Sequence, residues 1–207
     1  MDLLSGFTAG LLLITLSELG DKTFFIGAIL AMRHPRRWVF AGVTAALTVM
    51  TLISVWIGQL VAFFPQHYVG AIAAALFIGL GLRLLYDAVK MSRNGGLAHE
   101  QADALSDVEA REQGVKIWSV RAVLVEAFTL TFLGEWGDRT QLATITLASA
   151  NHPYGVFLGA VSGHLICAAI AVVCGKFIAG RISERLLTGI SGALFVLFGL
   201  LEVAKLT

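Results

Sequence analysis

Glu18-Leu19-Gly20-Asp21-Lys22-Thr23 recurs 117 positions later as Glu135-Trp136-Gly137-Asp138-Arg139-Thr140, and each copy sits inside a long apolar run. One charge at the centre of a bilayer costs about 2.5 to 3.5 kcal/mol, so six such charges cost on the order of 15 to 21 kcal/mol before pairing. That exceeds the ~5 to 15 kcal/mol by which a whole domain is usually stable. A chain that keeps these groups in apolar surroundings must pair them, hydrate them or give them a metal ion.

Composition places those surroundings in a membrane. The 207 residues are 57% hydrophobic and 14% charged, with a mean hydropathy of +0.81. The formal charge of +1, without a basic stripe, excludes a nucleic-acid partner. Asp2 rather than a basic region precedes the first apolar stretch, which itself carries the first motif, so this stretch reads as a retained span. Cys167 and Cys174, seven apart in one apolar run, read as packing residues. A hydrocarbon core of about 30 Å needs about 20 helical residues. Six segments meet that length, approximately 3 to 32, 38 to 63, 68 to 91, 119 to 149, 153 to 179 and 184 to 206, with Pro35, Pro65 and Pro153 at the breaks.

The duplication reaches past the motif. Val39-Phe40, Gly42 and Gly58 match Val156-Phe157, Gly159 and Gly175 at the same offset, and Ala75-Leu76-Phe77 and Gly81 match Ala193-Leu194-Phe195 and Gly199 one residue further on. The expected fold is therefore all-α and integral to the membrane, with six transmembrane helices as two inverted three-helix repeats: 1–91, a cytoplasmic linker 92–118, and 119–207. An odd number of spans per copy reverses the second copy and brings equivalent residues together near the midplane. Alternate connections hold nearly all the basic residues: Arg33, Arg36 and Arg37; Lys90, Arg93, Arg111, Lys116 and Arg121; Lys176, Arg181 and Arg185. The connections around Pro65 and Asn151 hold none, so both termini are expected on the non-cytoplasmic side. Trp38 and Trp118, and Tyr68 and Tyr154 on the other side, fit interfacial positions. The polar stretch 92–118, with Glu100, Asp103, Asp107, Glu109 and Glu112, reads as a solvated tether.

On a continuous helix Glu18, Asp21 and Lys22 project from one face, as do Glu135, Asp138 and Arg139. Inversion then gathers four carboxylates, hard oxygen donors suited to Mn²⁺, Ca²⁺ or Mg²⁺ rather than to softer metals. Thr23, Thr140 and Gln141 add neutral oxygens. Gly20 and Gly137 permit either a helix break beside the acids or close approach of another helix. Four ionised carboxylates against Lys22 and Arg139 leave a charge of minus two, which one divalent cation or two protons cancels. Crowded carboxylates hold protons more tightly, so metal and proton compete for the same oxygens. Glu126, nine residues before Glu135, reads as a vestibule acid or an interfacial group. His164, opposite Leu47 in the first copy, reads as a helix contact or a ligand. Gly155, Gly159 and Gly163 recur at the spacing for close helix packing.

The twin Glu-x-Gly-Asp-(Lys/Arg)-Thr motifs resemble the signature of the cation/proton exchangers catalogued as uncharacterised protein family 0016, which includes Golgi and thylakoid manganese transporters. The resemblance continues in Phe128-Thr129-Leu130-Thr131-Phe132-Leu133, Pro153-Tyr154-Gly155-Val156 and Gly163-His164. It implies exchange of Mn²⁺ and/or Ca²⁺ for protons. Glu18, Asp21, Glu135 and Asp138 would be the metal site, and Lys22, Thr23, Arg139 and Thr140 its supports. The expected partners are the bilayer, divalent cations, protons and a further copy of the chain, with no permanently bound cofactor. The expected location is a bacterial plasma membrane or a cyanobacterial thylakoid. A passive cation channel and a membrane-embedded enzyme using paired carboxylates are the alternatives; for the enzyme, the near-symmetric duplication lacks a distinct acid and base.

Overall fold

The computed structural model describes residues 2–91, 98–112, 119–178 and 183–206. Arg93, Lys116, Trp118 and Arg181, and the side chain of Lys176, all used to orient the sequence, lie outside the described residues. Nine α-helices make up the secondary structure among the described residues. They are α1 (Leu3–Glu18), α2 (Lys22–Arg33), α3 (Arg36–Val61), α4 (Gln66–Lys90), α5 (Ala98–Glu112), α6 (Val120–Gly134), α7 (Arg139–Ala150), α8 (Pro153–Ile178) and α9 (Glu184–Leu206). The prolines fall where a missing N–H costs least: Pro35 and Pro65 precede the first turns of α3 and α4, and Pro153 opens α8.

Helices α3, α4, α8 and α9 are each long and apolar enough to cross a membrane, and α1 with α2 brings a fifth span if that pair, bent by 66°, counts as one. The first long apolar segment is thus broken rather than merely tilted. Its counterpart in the second half, α6 and α7, is broken at the equivalent place.

Packing between the halves is reciprocal. A methyl group on Gly10 of α1 would meet the α8 backbone at Val156 and Ala160 at 3.0 Å, and one on Gly42 of α3 would meet Ala127 and Leu124 of α6 at 2.8 Å. Gly10 and Ala127 are equivalent positions, as are Gly42 and Gly159. Likewise Gly81 approaches Val196 and Gly192, while Gly199 approaches Ile78 and Ala74. Phe77 and Phe195, equivalent to each other, meet edge to face at 5.9 Å. The Gly155, Gly159 and Gly163 stripe of α8 lies against α1 at Leu3, Phe7 and Thr15, which bears out the scaffold reading of these glycines.

Two apolar clusters flank this shared interior. One joins Phe24 to Ala31 of α2, Val39 and Val43 of α3, Val123 and Ala127 of α6 and Ala168 to Val172 of α8. The other joins Leu13 of α1, Val55, Phe77 and Leu84 with Leu147, Val156 and Phe195. Linker helix α5 belongs to the first cluster, because Ala104 and Val108 are fully buried in it. The described part of the linker is therefore docked, not a solvated tether. Its apolar pair four residues apart makes a narrow stripe that the surrounding acids hide from a composition-based reading.

Candidate metal centre

Each motif is a helix break with the same geometry. α1 ends at Glu18, Gly20 takes φ 80°, and α2 starts after Asp21; α6 ends before Glu135, Gly137 takes φ 82°, and α7 starts after Asp138. These glycines are the only residues with positive φ among those described, a conformation that costs an L-residue roughly 1 to 2 kcal/mol. In each break the Asp N–H returns to the Glu carbonyl, at 3.3 Å for Asp21 to Glu18 and 3.2 Å for Asp138 to Glu135. The three-residue spacing of Glu and Asp thus spans a turn, and the two acids do not share a continuous helix face. That corrects the single-helix arrangement expected from the sequence.

Ending a helix in the interior exposes its last four carbonyls, which must find donors. In α1 all four are satisfied. Cys167 donates from Sγ to the Thr15 oxygen at 3.3 Å, Ser191 to Leu16 at 3.0 Å, Arg139 to Ser17 at 3.3 Å, and the Asp21 N–H to Glu18. Cys167 is a packing residue, as read, with this added contact. Ser191 carried no sequence signal for such a role, since its partner lies 175 residues away.

The breaks aim their carboxylates at one another. Oxygens of Glu18, Asp21 and Asp138 lie within 4.8 Å of one another, a separation that one oxygen-coordinated cation spans. Glu18 and Glu135 are 2% exposed, and in each one carboxylate oxygen (Oε1) is buried without a hydrogen-bond partner. Their other oxygens accept from threonine: Thr23 donates to Glu18 Oε2 at 3.4 Å and Thr140 to Glu135 Oε2 at 3.2 Å. Each threonine also faces the glutamate of the other half, Thr140 towards Glu18 and Thr23 towards Glu135. Glu135 falls outside the tightest oxygen group, and the Thr140 hydroxyl lies 3.2 Å from both Glu135 Oε2 and Asp138 Oδ2. Asp138 also caps α7, accepting from the Thr140 N–H at 3.3 Å.

The two bases part company. Arg139 crosses to the first motif and meets Asp21 Oδ1 at 3.4 Å, whereas Lys22 turns to the linker helix and meets Asp107 at 2.7 Å. The minus-two balance therefore loses one of its terms, because Lys22 is neutralised on α5 instead of within the cluster. Gln141 supports the break: its Oε1 accepts the Gly137 N–H at 2.7 Å and its Nε2 reaches Met50 Sδ at 3.1 Å.

Beside the acids, a cavity of about 180 Å³ is lined by Asp21, Arg139, Ser17, Asp87, Glu100 and Ser191 among others. Two further cavities measure about 10 Å³ each, one bordered by Glu135 and Thr140 and the other by Glu18 and Thr23. His164, 6% exposed, borders both, as does its equivalent Leu47. Glu126 is not at this centre; it lies against His34 at the far end of α2, with 3.9 Å between them.

A helical membrane protein whose two halves each contribute a broken helix and at least one carboxylate to a shared oxygen cluster belongs to the class of ion-translocating proteins. The chain matches the family described as "Divalent cation/proton antiporter GDT1" over residues 6–92 and 123–205, one stretch in each half. It is 52% identical over 204 residues to the GDT1-like protein sll0615 of Synechocystis, covering 97% of both chains. It is 39% identical to GDT1-like protein 5 of Arabidopsis thaliana, covering 96% of this chain and 95% of the relative. It is 42% identical to the chloroplastic GDT1-like protein 2 of rice, of which it spans 59%. No solved structure matches the chain. The protein belongs to the GDT1 family of divalent cation/proton antiporters.

Proposed function

We propose that the protein exchanges Mn²⁺ and/or Ca²⁺ for protons at a site built from Glu18, Asp21, Glu135 and Asp138. Thr23 and Thr140 orient the glutamates, and Arg139 offsets part of the charge. The observation that carries this reading is the convergence of Glu18, Asp21 and Asp138 from both halves within 4.8 Å. Carboxylates are the ligand type that binds hard divalent ions and protons alternately. His164, between the two small cavities, is a further candidate ligand or proton carrier.

The halves, 1–91 and 119–207 joined by the linker 92–118, form in this reading an inverted repeat of three spans each, with α1–α2 and α6–α7 as broken spans. Support comes from the reciprocal contacts of equivalent positions and from two-part matching to the family. In the same reading both termini lie on the non-cytoplasmic side of a bacterial plasma membrane or a cyanobacterial thylakoid, which the distribution of basic residues along the sequence supports. The test is uptake of Mn²⁺ or Ca²⁺ by proteoliposomes under an imposed pH gradient. Exchange requires uptake that reverses when the gradient is reversed; uptake indifferent to it would identify a passive channel.

A further inference from the structure

We infer that the protein has a second divalent-cation site, formed by His34, Glu112 and Glu126 where α2, α5 and α6 meet. One ligand atom from each of these residues lies within 4.8 Å of the others. His34 Nε2 is 2.8 Å from Glu112 Oε1 and 3.9 Å from Glu126 Oε2. The set is largely removed from solvent, with side-chain exposures of 6% for His34, 16% for Glu112 and 3% for Glu126.

Glu126 is the observation that points to a ligand. Both of its carboxylate oxygens are buried without a hydrogen-bond partner, a condition that costs several kcal/mol for an ionised group. A cation between Glu126, His34 and Glu112 removes that cost. Arg33, His34 and Arg111 offset part of the Glu126 charge from a distance, but Arg33 gives Glu126 no hydrogen bond, because it is bound to the other oxygen of Glu112, with a further contact to Glu109 at 3.4 Å. That arrangement leaves Glu112 Oε1 turned to the cluster and fixes its orientation, as outer contacts do around metal ligands.

The donor set selects the ion. Two carboxylates with one imidazole suit Mn²⁺, Fe²⁺ or Zn²⁺ better than the all-oxygen preference of Ca²⁺ and Mg²⁺. The site is separate from the central carboxylates, since Glu126 and Glu135 are nine residues apart, about 13 Å along a helix. An ion here ties the linker helix to both halves of the molecule. The inference does not depend on the transport reading, because it concerns binding alone.

The test uses Mn²⁺ with untagged, detergent-purified full-length protein carrying Glu18→Gln and Glu135→Gln, titrated by electron paramagnetic resonance. One Mn²⁺ per chain should remain bound, with a nitrogen coupling in its pulsed spectrum. Adding Glu126→Gln should weaken that binding at least about tenfold, and adding His34→Gln should also remove the nitrogen coupling. Circular dichroism and gel filtration in the absence of metal report whether each variant is folded; should Glu126→Gln not fold, His34→Gln alone decides. No bound Mn²⁺ in the Glu18→Gln, Glu135→Gln protein would overturn the site. Binding and nitrogen coupling that survive His34→Gln would overturn it equally.

Discussion

Changing Glu18 to Gln removes one charge from the cluster while keeping the side chain's shape and its ability to accept from Thr23. If, as proposed, the same oxygen serves as cation ligand and proton acceptor, Glu18→Gln and Glu135→Gln should each lower metal flux by more than about 100-fold, with normal amounts of protein in the membrane. Thr140→Val replaces with a methyl group the hydroxyl that contacts Glu135 and Asp138 and should lower flux by about 10- to 100-fold, the range for outer contacts of metal ligands. Initial rates in vesicles at several metal concentrations check both. A different outcome is expected for Lys22. Its contact with Asp107 is half-exposed, a kind of pair worth about 0 to 1 kcal/mol. Lys22→Ala and Asp107→Ala should therefore act alike, and the double variant should be little worse than either. If Lys22→Ala alone moved the pH profile of transport, the lysine would belong to the cluster after all. The sequence made the four acids and two threonines legible, since they recur as a unit in apolar runs. It could not say that Arg139 and Lys22 diverge, because the same position in two copies meets different neighbours, Asp21 in one case and linker helix α5 in the other.

At the scale of elements, the two helix breaks define the site. A glycine beside the acids left break and close packing open, and the positive φ of Gly20 and Gly137 decides for the break. Gly137 isolates the backbone contribution, because a methyl group placed there would meet nothing within 4 Å. Gly137→Ala should thus cost roughly 1 to 2 kcal/mol through the left-handed backbone alone, and Gly137→Asn should cost less, since asparagine tolerates that region. Thermal unfolding in detergent reads the order; equal stability for alanine and glycine would mean that the turn relaxes to another conformation. Linker helix α5 was the element least legible in the sequence. Among its described residues only Ala104 and Val108 are fully buried, and its ionic contacts to Lys22 and Arg33 span 85 and more than 70 residues. No local pattern announces such contacts. The capping of α1 by Cys167, Ser191 and Arg139 was hidden for the same reason.

At the scale of the molecule, positions related by an offset of 117 to 118 residues in the sequence make reciprocal contacts among the described residues. What an offset cannot give is the sense of each copy relative to the membrane. Cysteines introduced at His67 and Glu109 in a Cys167→Ser, Cys174→Ser background should be labelled from opposite sides; labelling from one side would contradict the inverted arrangement. The central claim is that a single carboxylate cluster, shared by both halves, carries metal and proton alternately. Its most direct test is simultaneous recording of Mn²⁺ uptake and internal pH in one preparation of proteoliposomes, for the unaltered protein and for Glu18→Gln. Linked counterflow of metal and protons is expected in the unaltered protein, with both movements lost together in Glu18→Gln. Metal uptake without proton counterflow, or one movement surviving the loss of the other, would contradict it.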